Sequence, residues 1–467
     1  MPNIVTVNVT QNIAPLPATL QQSGACCSLG ATTTAVDAVT LITQLSDLTA
    51  ILRTALANTS LAWAANVVTV TTAAPHGLAN GTSFQVTIAG ATPAGYNGTF
   101  LATVTGASTF TYPLVSDPGV ETVPGTWVPA SVAELLAMIT TYFAQGSAVA
   151  VSVLELGIGT ATQGVAALSA YVTQNPNTNY VPGATGFFYA YLVPIAFANE
   201  ATYLTFVATF ENTTAKTYFF TMMTLGNYTS FTNLMKSVVG IVPAPAAPAT
   251  EFAAAFPFYQ VLSGNPSPTN KIAPFSFRFG FGVTPWPIKN NGATFTALKA
   301  AGVNWVGTGA EGGISNAILL YGTTMDGRGL AYWYSVDWVQ INEDLSISNA
   351  IIDGSNNPIN PLYYDQDGIN RLQARAAGTL NSGVSFGLVL GTVVQTQLTA
   401  DKFIAALNNG DFNGQAVINA IPFLSYTTLN PSHYREGEYD GLAVVYVPQN
   451  GFDHNVFNIN VSDFVSQ

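Results

Sequence analysis

Both ends of the chain alternate strictly between apolar and polar residues. At the start, Val5, Val7 and Val9 point one way, and Thr6, Asn8 and Thr10 the other. A repeat of two is a strand with one apolar face. At the far end Val456-Phe457-Asn458-Ile459-Asn460-Val461 repeats the pattern, with Phe457, Ile459 and Val461 as its apolar set. Pro15 and Pro17 end the first run, so no hairpin partner follows it. A strand without a neighbour leaves a row of unpaired N–H and C=O groups. Each end must therefore add to a sheet distant in the chain, or to a sheet of another chain.

Composition narrows what such a chain can be. Of its 467 residues only 8% are charged, against about 25% in an ordinary globular protein, while 48% are apolar. Intrinsic disorder needs the opposite balance. The net charge is −12, and Arg53 is the only basic residue before Lys216, which argues against direct nucleic-acid binding. No run reaches the roughly 18–20 apolar residues of a membrane span. The nearest, Ser237 to Phe256, is broken by Pro243, Pro245 and Pro248. Met-Pro-Asn-Ile-Val-Thr-Val lacks the basic and apolar regions of a secretory leader. The composition predicts a soluble multi-domain protein that is too apolar for a monomer. Cys26 and Cys27 are adjacent, so their side chains diverge and do not bridge. They read as small buried hydrophobes in a reducing compartment.

The pattern predicts an α/β host interrupted by an all-β insert. Residues 35 to 58 read as a helix, with Val39, Ile42, Leu45 and Leu48 on its stripe. From Leu61 to Val128 the texture changes: no Lys or Arg, abundant Thr and Gly, and short strands at 67–71, 83–88, 98–104 and 109–112. Such spacing predicts a small β-sandwich. Ser131 and Glu134 form a capping-box pattern opening the next helix. Strands at 149–156, 187–194 and 217–222 then alternate with helices at 164–174 and 199–209, as in an α/β layer domain. In the last third, Ser335 to Ile352 reads as an amphipathic helix carrying Asp337, Glu343 and Asp344. A helix at 366–379 and strands at 388–395 and 442–448 follow it.

No catalytic constellation emerges. Gly383-Val384-Ser385-Phe386-Gly387 matches the G-x-S-x-G elbow, with Asp401 or Asp411 and then His433 in the required order. An elbow needs a strand before the serine and a helix after it, and here the order is reversed. Gly307-x-Gly309-x-x-Gly312 matches a dinucleotide fingerprint, but the residues after it are too few for the helix such a site needs. It reads as a glycine-rich loop. Asp365-x-Asp367-Gly368 lacks the glycine position and the closing glutamate of a calcium loop. His76, His433 and His454 have no metal-ligand spacing. No cofactor and no metal are expected.

Four segments together resemble contractile tail sheath proteins of bacteriophages. These are Ala133-Glu134-Leu135-Leu136 with Val153-Leu154-Glu155-Leu156-Gly157, then Ala301-Gly302-Val303-Asn304-Trp305-Val306-Gly307, then Trp333 with Asp337-Trp338, and finally Pro361 with Asp367-Gly368-Ile369. The insert, through Pro75-His76-Gly77-Leu78 and the run Thr92 to Phe100, is similar to immunoglobulin-like modules on phage tail proteins. The resemblance implies an α/β (α+β) multi-domain sheath fold with terminal strand-exchange arms. It divides the chain into an N-terminal arm (1–20), an outer domain (21–60 and 129–329), an immunoglobulin-like insert (61–128) on the outer surface, and an inner domain (330–467).

It further implies a non-enzymatic subunit of a helical sleeve in the virion, assembled in the host cytoplasm. The partners implied are other copies of itself, a tail tube protein, and baseplate and terminator proteins, with no nucleic acid and no membrane insertion. The lent strands would be Ile4–Thr10 and Val456–Val461. Burying three apolar side chains per arm is worth roughly 5–8 kcal/mol gross before ordering costs. The helix bearing Asp337, Glu343 and Asp344 is the candidate tube-facing element. A secreted adhesin or carbohydrate-binding protein is the alternative that the β-rich insert and 11% aromatic content leave open. A hydrolase using Ser385 is a weaker one.

Overall fold

The computed structural model describes residues 20–451 apart from 31, 36–37, 175–187, 212–214, 232–234, 288 and 310–313, and Ile314 by its backbone alone. The two terminal runs, with Val5, Val7, Val9, Phe457, Ile459 and Val461, lie outside the described residues. So does His454.

The chain enters through β1 (Gly24–Ser28), the wholly buried centre of the main sheet. The predicted helix over 35–58 is not one element. It divides into β2 (Val39–Ile42), the short α1 (Leu45–Ile51) and the start of the next strand. Val39 to Ile42 is rich in β-branched side chains, and an edge position beside another strand suits it better than a helix. α1 is started by Asp47, whose carboxylate accepts from the Thr43 and Gln44 N–H groups.

The insert comprises β3 (Leu56–Ala64), β4 (Val67–Thr72), β5 (Ser83–Ala89), β6 (Gly98–Gly106), β7 (Thr109–Pro113) and β8 (Thr126–Pro129). The spacing predicts two packed sheets, but the six antiparallel strands close into one barrel, in the order β3-β4-β7-β6-β5-β8. β8 bridges the gap by pairing with both β5 and β3, so no edge is left open. Ala65 and Asn66, both at positive φ, turn β3 into β4. Trp127, Phe110 and Phe84 pack edge to face at the barrel's centre.

The host resumes with α2 (Ser131–Gln145), β9 (Val151–Glu155), α3 (Ala161–Gln174), β10 (Ala190–Leu192), α4 (Ala201–Ala208), β11 (Tyr218–Met222), β12 (Val238–Ile241) and α5 (Ala255–Leu262). The capping box expected at Ser131 is not made. Its hydroxyl meets that of Thr32 at 2.9 Å, and Glu134 accepts the N–H of Ile195 instead. The sheet order is β12-β11-β10-β1-β9-β2; five strands are parallel and only β2 runs against its neighbour. Alternate residues face opposite layers: Cys26 joins one hydrophobic cluster with α2 and α5, while Ala25 and Cys27 join the other with α3 and α4. Burial on both faces explains the near-continuous apolar strands. Both cysteines are buried thiols, pushed far above their ordinary pKa by burial.

After α6 (Gly292–Ala300), β13 (Trp305–Gly309) and β14 (Ile314–Leu320) form an antiparallel pair. The long α7 (Leu330–Asn356) and α8 (Gln366–Ser385) follow, then β15 (Val389–Leu390), β16 (Thr392–Thr396), α9 (Ala400–Asn409), β17 (Gln415–Ala420), α10 (Phe423–Leu429), α11 (Pro431–Glu436), β18 (Leu442–Val445) and β19 (Val447–Pro448). α7 is two things in succession. Leu330, Trp333, Tyr334, Asp337 and Trp338 are buried, and most of them belong to the host core. Leu345, Ile351 and Ile352, further along the same helix, are exposed.

Candidate functional site

The motifs that suggested chemistry resolve into structural devices. Ser385 is the last residue of α8, and its hydroxyl donates to the Ser382 carbonyl at 2.9 Å. That is a helix end, not an exposed elbow. His433 Nδ1 lies 2.8 Å from the Tyr426 hydroxyl, which also reaches Asp440. Gly307 and Gly309 lie in β13, which pairs antiparallel with β14, so the described chain on both sides of the glycine-rich run is strand. Asp365 caps α8 by accepting the Gly368 N–H at 2.8 Å. Gly368 is required there because a Cβ would collide with the Tyr363 carbonyl. His76 is buried in the barrel and accepts the Leu78 N–H at 3.1 Å through Nδ1. Among the described residues no three His, Cys, Asp or Glu side chains could hold a metal, and no helix is long and apolar enough to cross a membrane.

Asn304, in the Ala-Gly-Val-Asn-Trp segment, is a buried staple. Its amide donates to the carbonyls of Gly240 (2.9 Å) and Thr323 (2.7 Å) and accepts the Thr323 N–H. It ties β12 to the chain entering β13.

The three acidic residues expected on one face of this helix, Asp337, Glu343 and Asp344, are in three different settings. Asp337 is fully buried, and its Oδ2 accepts from the hydroxyls of Tyr189 (2.8 Å) and Tyr218 (2.7 Å). It joins α7 to the main sheet and cannot face a tube. Burial raises its pKa, opposed by Lys236 and the two tyrosines. Glu343 is half-buried with neither carboxylate oxygen hydrogen-bonded, and desolvation pushes it up to about 8. Of these three only Asp344 is exposed. The amphipathic pattern missed this, because a buried acid and a solvated one look alike in sequence.

The feature that stands out is the small sheet β16-β17-β18. β17 is its buried centre: Ala416, Val417, Ile418, Asn419 and Ala420 are all enclosed. β16 runs parallel to it, Thr392 opposite Gln415, and β18 antiparallel, Val444 opposite Ile418. α8 backs the sheet with Ile369, Ala376, Ala377 and Leu380 buried. Gln373 reaches from α8 to donate to the carbonyls of Thr396 on β16 (2.7 Å) and Ile418 on β17 (2.9 Å). Asn419 holds the exit of β16 through Leu398, accepting its N–H and donating to its carbonyl. The flanking strands are only part-buried, and among the described residues nothing pairs with the outer edge of either. The region around them is rich in exposed apolar side chains, including Ile404, Leu424, Leu429, Val445 and Val447.

No family model matches the chain, and no curated protein matches it in sequence. Among solved structures, the chain is similar to a sheath tail protein from Listeria innocua at 10% identity and a TM-score of 0.35. That likeness covers 79% of this chain and 85% of the other.

Proposed function

We propose that this chain is a structural, non-enzymatic subunit of a contractile phage tail sheath, polymerising by strand exchange. The observation carrying the reading is the sheet β16-β17-β18. Its buried centre and its two edges, unpaired among the described residues, suit it as an acceptor for added strands, and the same sequence supplies two strand-like runs without hairpin partners. The order of the sheath-like motifs around it supports the same reading.

In this reading Val5, Val7 and Val9 of one copy, and Phe457, Ile459 and Val461 of another, complete the sheet of a third. The sleeve then surrounds a tail tube, engages baseplate and terminator proteins, and is part of the virion. Contraction is a rigid-body rearrangement between two lattices, with free energy held in subunit contacts. Asp344, exposed on the outer half of α7, replaces Asp337 as the candidate for a tube contact.

Deleting residues 1–12 or 455–467 tests this. The purified full chain should form tubes or rings under negative stain. Each deletion should abolish them while leaving the thermal melt intact. Tubes unchanged by either deletion would overturn strand exchange.

A further inference from the structure

Residues 275–283 read Phe-Ser-Phe-Arg-Phe-Gly-Phe-Gly-Val and run as an irregular strand along β14. The Phe277 N–H donates to Leu319, the Leu319 N–H to Arg278, and the Gly280 N–H to Ala317. The side chains are arranged inside out. Phe277, Phe279 and Phe281, at every second position, are 44%, 51% and 59% exposed. The charged residue between them turns inward. Arg278 stacks 4.1 Å over Phe275 and donates to the carbonyls of Pro274 (2.9 Å), Gln260 and Ala273.

Three features hold this ribbon in place. Gln145, at the end of α2, both donates to the Phe281 carbonyl and accepts its N–H, like a strand partner. Gly280 lies so close to Phe256 that a Cβ would come within 2.7 Å of its ring. Phe277 sits at φ 61°, a left-handed conformation that a bulky residue adopts only when its surroundings enforce it. The chain thus fixes three large apolar rings outward in an ordered setting, which lowers the entropic cost of docking onto them.

We propose that the Phe277-Phe279-Phe281 ribbon is a docking surface for a second copy of this chain. The three rings expose roughly 300 Å² together, taking about 200 Å² for a whole ring side chain. That is more than a third of the roughly 800 Å² each partner gives to a standard interface. The ribbon offers no outward charge to recognise an acidic or basic partner, and this chain's own sparsely charged surface meets it on equal terms. The same chain also carries a receiving surface. A cleft of about 750 Å³ between the barrel and the host is walled by Phe84, Leu101, Ile195 and Pro248. A patch on one copy filling a cleft on the next is a head-to-tail contact, which builds a ring or a helical filament rather than a two-fold dimer. The contact rests on the polymer reading but is separate from strand exchange.

The test compares the full chain with Phe277→Ser/Phe279→Ser/Phe281→Ser and with Leu101→Glu, by sedimentation over a concentration series, with thermal melts as the control for folding. The expected result is that each variant melts as wild type but raises the concentration needed for assembly at least tenfold. Tubes forming at the wild-type concentration without the phenylalanines would overturn the ribbon and leave the sheath reading standing. Wild-type short oligomers that the triple substitution dissolves, with no tubes or rings at any concentration, would sink the sheath reading and keep the ribbon. A triple variant that only melts earlier would show the ribbon to be covered within one molecule, and would overturn the docking proposal. An unaffected Leu101→Glu would remove the cleft as receiver.

Discussion

The molecule contains two sheets built to different ends. The six-stranded sheet is sealed: helices cover both faces, and its five parallel strands are almost wholly buried. The sheet β16-β17-β18 is backed by α8, and both of its flanking strands are part-exposed, with no strand on their outer edges among the described residues. In the first, the five parallel strands complete their apolar burial within the chain, and only the edge strand β2 is part-exposed. The second does so only at its centre. The stability of the core and the proposed assembly role therefore fall in different places, and a substitution should reveal which of the two it touches.

The largest contrast lies in truncating side chains. Phe220→Ala, in the centre of β11, should cost roughly 3–5 kcal/mol in urea unfolding. Val445→Ala, on the part-exposed β18, should cost under about 1 kcal/mol by the same measurement. Equal costs would erase the distinction between sealed and open sheets.

A smaller effect is expected at the clamp of the open sheet. Gln373→Leu leaves the carbonyls of Thr396 and Ile418 without their donor, at a cost of about 1–3 kcal/mol. Hydrogen exchange should quicken across β16 and β17 and stay unchanged in β1 and β11. Uniform quickening would mean that the two sheets unfold as one unit.

The smallest effect is on pH dependence. Glu343 is raised in the fold from an ordinary carboxyl value to about 8 by desolvation, so the folded chain favours its protonated form. The stability this gives is present below about pH 4.5 and is lost as pH rises through 8. Relative to wild type, Glu343→Gln should gain melting temperature progressively from pH 5 to about pH 8 and level off above it. A constant difference across that range would show that burial does not govern the group.

The sequence made some of this legible and hid the rest for identifiable reasons. Helices α7 and α8 could be read because their apolar periodicity is long, though α7 begins five residues before the predicted start at Ser335. The insert's strands could be read from alternation and turn residues. Its closure could not, because that depends on β8 pairing with both β3 and β5, a long-range fact. The stretch 35–58 was misread because Val39, Ile42, Leu45 and Leu48 satisfy a helical stripe by coincidence, whereas pairing with β9 decides the outcome. No strand is expected at β17, because the run is short and carries the polar Asn419, whose side chain instead accepts the Leu398 N–H. Asp337 shows the limit for sites. Its burial depends on Tyr189 and Tyr218, more than a hundred residues away, and no local pattern announces them.

The barrel's attachment has a practical meaning. Its entry strand β3 and exit strand β8 are hydrogen-bonded neighbours, with Leu56 opposite Trp127. The chain therefore leaves the host and returns within about one strand spacing, roughly 5 Å. A passenger domain whose own termini lie side by side could be spliced in place of the barrel without stretching the host, and every copy in an assembly would carry it.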